Sequence, residues 1–151
     1  MNQKINIKYF LILVLTIGFM GCKNSTRSKI IGTWDSSYSN DEISVSGTTT
    51  FYEGKNQRFS EQMTLFPKGS RASCEISISG KFTISENNII SFKVFKMNVY
   101  NCNSSYLESK LRDGARKMKN HTSSVKILSL DSGTMITEDL DDYERITYIK
   151  R

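Results

Sequence analysis

Residues Cys74 to Ser85 alternate without a fault. Cys74, Ile76, Ile78, Gly80, Phe82 and Ile84 fall on one side, and Glu75, Ser77, Ser79, Lys81, Thr83 and Ser85 on the other. A period of two builds a strand with one face buried and one in water, and a helix cannot gather such a pattern onto one face. Glu86-Asn87-Asn88 follows as a turn whose residues tolerate positive φ, and 89–100 runs back from it. In the returning segment the apolar positions change phase, from Ile90, Phe92 and Val94 to Phe95, Met97 and Val99. A slip of one residue is what a β-bulge inserts, and barrels use bulges to bend their walls. This hairpin commits the chain to antiparallel β-structure with faces of opposite polarity.

The flanking segments continue the pattern. Ile43, Val45 and Phe51 share one parity in a strand over 43–52, Glu53-Gly54-Lys55-Asn56 is a hairpin turn, and 58–66 returns to Pro67, the only proline. Strands are expected again over 122–130, 134–138 and 143–149, separated by Asp131-Ser132-Gly133 and by an acidic turn at Asp139, Asp141 and Asp142. A short strand over 30–34, ending on the single tryptophan Trp34, brings the total to about eight, enough to close a small antiparallel barrel. One segment breaks the period: over 103–120, Leu107, Leu111, Ala115 and Met118 recur at helical spacing behind Ser105-x-x-Glu108, a capping-box pattern. We therefore expect one amphipathic helix inserted in the barrel. Its outer face carries Lys110, Arg112, Arg116, Lys117 and Lys119. That face suits an anionic surface or an acidic partner, but the narrow apolar stripe without aromatic anchors favours a solvated face.

The start of the chain is of another kind. Lys4 and Lys8 precede an apolar run from Tyr9 to Gly21 of about 13 residues, too short for a span of roughly 20, and the pattern is that of a secretory signal. The run ends in Phe19-Met20-Gly21-Cys22, which resembles the lipobox of bacterial lipoproteins. The resemblance implies a signal peptide over 1–21 and a lipid (palmitate) anchor on Cys22. Phe19 and Met20 depart from the family's usual aliphatic and small residues. Lys23 is not the aspartate that retains such proteins in the inner membrane, which implies the outer membrane, facing the periplasm. Residues 22–29 read as a flexible polar tether and 30–151 as one domain.

The motif Gly32-x-Trp34 on the first strand, with Tyr143-x-Arg145 on the last, resembles the lipocalin-like superfamily, although only these two ends of the domain carry motifs. The resemblance implies an all-β, lipocalin-like antiparallel barrel in which Arg145 packs over Trp34 and closes the wall. It also implies an interior, lined by Phe51, Met63, Leu65, Ile78, Phe82, Phe92 and Val99, that takes a small apolar ligand. The same residues would equally serve a packed core.

With Cys22 assigned to lipid, Cys74 and Cys102 remain, and two is the number that pairs in an oxidising compartment. Folding the long hairpin about Glu86–Asn88 with one bulge residue brings Cys74 opposite residue 101 or 102, so a disulfide is expected there. The lone His121 lies in a polar loop, and no phosphate-binding glycine loop, nucleophile elbow or zinc motif is present. No enzyme activity, metal or cofactor is expected. The net charge of +6, about +4 without Lys4 and Lys8, is dispersed and gives no reason to invoke nucleic acid. Two readings of function follow: a monomeric lipid-anchored barrel that binds an apolar ligand, or a non-enzymatic envelope protein that interacts with or inhibits a partner through its outer surface.

Overall fold

The computed structural model describes residues 26–151; Cys22, the signal segment and the first part of the tether lie outside it. Eight strands run in meander order: β1 (Gly32–Ser39), β2 (Ile43–Phe51), β3 (Arg58–Pro67), β4 (Cys74–Ile84), β5 (Ile89–Tyr100), β6 (Thr122–Leu130), β7 (Thr134–Asp139) and β8 (Arg145–Lys150). All pair antiparallel with their sequence neighbours. β1 closes the cylinder on β8, from Trp34 opposite Lys150 to Ser37 opposite Thr147. The described residues thus form an all-β closed barrel with a single long helix among them, α1 (Ser105–Met118), between β5 and β6.

The strands sort their residues as the alternation requires. Trp34, Thr49, Glu61, Ile78 and Met97 form one inward row across β1 to β5, and Ser36, Gly47, Met63, Ile76 and Val99 form the next. Apart from Ser36, Thr49, Glu61, Thr137 and Lys150, the serines, threonines and charged residues of the strands mostly face out. That polarity is the reverse of a barrel whose outer wall meets lipid.

The phase change in β5 is a bulge. Ser79 pairs with Lys96 but Gly80 pairs with Val94, so Phe95 is the extra residue, and it is exposed. Gly80 is required here, because a Cβ would lie 2.1 Å from the Lys93 carbonyl oxygen and 2.9 Å from the Phe59 ring. At the far end of the hairpin Glu75 pairs with Tyr100. Asn101 then adopts φ 50°, a left-handed conformation asparagine tolerates, and the chain turns so that Cys102 bonds to Cys74. The disulfide staples the open end of the longest hairpin.

Three local expectations are corrected. Residues 26–30 are helical rather than a free tether: Ile30 is fully buried, its carbonyl accepts the Trp34 Nε1–H at 2.6 Å, and Arg27 donates to the Gly54 carbonyl at 2.7 Å. β1 accordingly begins at Gly32, and it runs on through a polar segment to Ser39. The cap of α1 is Ser104, whose hydroxyl accepts the Leu107 N–H at 3.3 Å, one residue before the predicted cap. Glu108 is thereby released to pair with Arg112.

Candidate functional site

The two ends of the cylinder are built differently. The first end gathers the hairpin turns at 52–57, 85–88 and 131–133 and is plugged by the 26–30 turn. Beneath that plug Ile30, Trp34, Phe51, Phe59, Phe82, Ile90, Val94, Ile127 and Met135 form one buried cluster. Phe51 meets Phe82 edge-on at 5.1 Å between ring centroids, and Phe59 meets Phe92 likewise at 5.0 Å. This half is filled by its own side chains.

Toward the second end the seal is partial: Cys74, Ile76 and Val99 are still buried. Val45, Met63, Leu65, Ile78 and Met97 all face in by register, yet each is only half-buried. The wall explains this. β6 joins β5 only from Ile89 opposite Lys126 to Lys93 opposite Thr122, with Val94 held by the backbone of Asn120 and His121. Past that point α1 replaces a strand and packs its half-buried Leu107, Leu111, Ala115 and Met118 on that side. Between β5 and α1 lies a groove of about 340 Å³ bordered by Phe95, Met97, Val99, Arg112, Arg116 and Lys119.

The seven residues expected to line a ligand site therefore divide. Phe51 and Phe82 are consumed by the packed cluster, and Phe92 abuts it. Val99 is buried near the disulfide end, Ile78 packs against the cluster as Phe92 does, and Met63 and Leu65 border the unsealed half. Trp34 sits where the barrel closes, but the cation over its ring is Lys150 at 5.1 Å. Arg145 is instead exposed and pairs with Glu138 at 2.8 Å, so its predicted packing on Trp34 does not occur. Lys150 also donates to the Lys29 carbonyl at 3.0 Å, tying the last strand to the plug.

At the boundary between the two halves lies a set of polar groups that sequence reasoning missed. Glu61 on β3 faces in between Phe59 and Met63, and the buried Thr49 hydroxyl donates to its carboxylate at 3.2 Å. Burial raises the Glu61 carboxyl above its ordinary range, opposed by the Thr49 hydrogen bond. Across the barrel Tyr148 on β8 lies opposite Ser36 and Met135. Its phenol is pushed well above the usual value, first by burial and then by the charge of Glu61, with the Thr137 hydroxyl working against both. Glu61 faces in and is half-buried. The signal was present in the sequence, because Glu61 shares its parity with Met63 and Leu65.

No protein-family model matches this sequence, and no curated protein matches it. The site must be read from its own chemistry.

The remaining polar candidates are occupied locally. His121 is exposed and lends its carbonyl to Val94. The Asp139 carboxylate accepts the backbone N–H of Asp141 at 2.7 Å, which makes the acidic turn an Asx cap. A depression of about 410 Å³ on the outer wall is polar and crossed by the ion pair of Arg151 with Asp35 at 2.7 Å.

Proposed function

We propose that this chain is a lipid-anchored envelope lipoprotein whose barrel takes a small, mainly apolar ligand into its unsealed half. The observation that carries the binding reading is the contrast inside one cylinder. The interior is filled at the plugged end, with Ile78 and Met97 packed against the cluster, while Val45, Met63 and Leu65, all facing in, keep accessible surface at the other. Pockets of this kind are apolar walls with a few placed polar groups, and Glu61, Thr49 and Tyr148 supply those groups. The anchor reading rests on Cys22 at the end of the signal-like run, and it would hold the domain at the outer membrane facing the periplasm.

The test is native mass spectrometry of the full chain purified from its own membrane fraction, alongside Cys22→Ala. The wild type should fractionate with membranes and carry a small molecule released on denaturation, and Cys22→Ala should leave the membrane fraction. A stoichiometric protein partner with no small molecule would favour the outer-surface reading, and a Cys22→Ala protein still held by lipid would overturn the anchor.

A further inference from the structure

Resting on the ligand-binding reading, we propose that the ligand carries a protonated amine, and that Glu61 is the carboxylate that receives it. A carboxylate offers about four acceptor positions, and the Thr49 hydroxyl occupies one. The ion pairs among the described residues join Arg112 to Glu108, Arg116 to Asp113, Arg145 to Glu138 and Arg151 to Asp35, and none reaches the interior. Lys150, which faces in by register, is engaged with Trp34 and the Lys29 carbonyl. Glu61 is thus an inward-facing, half-buried acid with no ion-pair partner among the described residues, an arrangement that costs stability unless something else brings the charge.

An ammonium group fits that vacancy in charge and in hydrogen bonding. It presents three donors and no acceptor. Glu61 shares its inward row with Lys150, Trp34, Thr49, Ile78 and Met97, and Tyr148, which is hydrogen-bonded to Thr137, lies near enough to feel its charge. The aromatic cluster, with Ile78 and Met97 packed against it, blocks extension toward the plugged end, and the half-buried Met63 and Leu65 are the apolar neighbours toward the other. The site therefore selects an apolar body with one cationic head. A carboxylate ligand would be repelled by Glu61, and an alcohol would bind without the charge-assisted bond.

The experiment is calorimetric titration of the purified full chain with n-octylamine, n-octanol and n-octanoate, in wild type and in Glu61→Gln, which keeps the shape and the acceptor for Thr49. In wild type the amine should bind at least about tenfold more tightly than the alcohol. In Glu61→Gln that preference should vanish while octanol binding stays within about twofold, which also shows that the variant is folded. Octanol binding as tightly as octylamine in wild type, or octylamine keeping its advantage in the variant, would overturn the role of Glu61 and leave the apolar site standing. Failure of all three ligands to bind wild type would overturn the ligand-binding reading itself.

Discussion

The two ends of this barrel are made from the same strands and behave as different materials. At the plugged end, most inward positions are large, apolar and matched by a neighbour: Phe51 against Phe82, Phe59 against Phe92, Trp34 against the Ile30 carbonyl. At the other end the inward set mixes the buried Cys74, Ile76 and Val99 with the small or half-buried Ser36, Gly47, Val45 and Met63, one strand gives way to a helix, and a disulfide restrains the hairpin. A wall can be continuous in hydrogen bonds while its filling is not. The lesson is that alternation specifies a barrel, and residue volume decides which part of it is fully sealed.

The largest expected effect would break this comparison if it failed. Phe82→Ala removes a ring that is 1% exposed from the packed cluster and should cost about 3–5 kcal/mol. Leu65→Ala, at a half-buried position of the unsealed end, should cost about 1–2 kcal/mol. Urea denaturation of both variants measures the difference. Equal losses would mean that the two halves are equally packed.

Much of this architecture was legible because it depends on short-range chemistry. The faultless alternation of Cys74 to Ser85, the phase slip that becomes the bulge at Phe95, and Asn88 at φ 58° in the turn are all local properties of the chain. The bond between Cys74 and Cys102 followed from counting residues around that hairpin. What escaped depends on contacts distant in sequence. Residues 26–29 contain nothing that nucleates a helix, and they are ordered by Arg27 reaching Gly54 and by the burial of Ile30. Asp35 to Ser39 has no apolar rhythm, yet pairing with β2 on one side and β8 on the other makes it strand. Glu61 was passed over because a charged residue in an alternating strand ordinarily marks the outer face, although its parity with Met63 and Leu65 pointed in.

The next effect sharpens the contrast between interior and surface through pH. Glu61 has a folded-state pKa raised by burial, so the native protein holds its proton more tightly than the unfolded chain. Stability from this group is intact below the ordinary glutamate range and is lost as pH rises through the raised value. Asp35 and Asp131 carry the opposite sign. The Arg151 side chain lowers Asp35, and backbone N–H groups of Gly133 and Thr134 lower Asp131, so their contributions are lost as pH falls through the lowered values. Glu61→Gln should flatten the decline on the alkaline side and raise stability at pH 8 by on the order of 1 kcal/mol. Denaturant midpoints at pH 4, 6 and 8 measure it, and an unchanged slope would place Glu61 in water rather than inside the barrel.

The smallest expected effect concerns how the cylinder is locked. Both Lys150 and Arg145 lie on β8, and only Lys150 lies over Trp34 and reaches the plug through the Lys29 carbonyl. A cation held over an indole and partly removed from water contributes about 1 kcal/mol, whereas an exposed ion pair such as Arg145 with Glu138 contributes about 0.5 kcal/mol or less and is screened by salt. Lys150→Met keeps much of the side-chain bulk and removes the charge, so its loss of about 1 kcal/mol should persist in high salt, because the partner is a ring and a carbonyl rather than a solvated carboxylate. Arg145→Ala should change stability by less than about 0.5 kcal/mol, and that change should disappear when salt is added. The reverse ranking in thermal melts would return the role of closing the barrel to Arg145. The predicted ranking makes the plugged end a unit joining the first turn of the domain to its last strand, independent of whatever the opposite end admits.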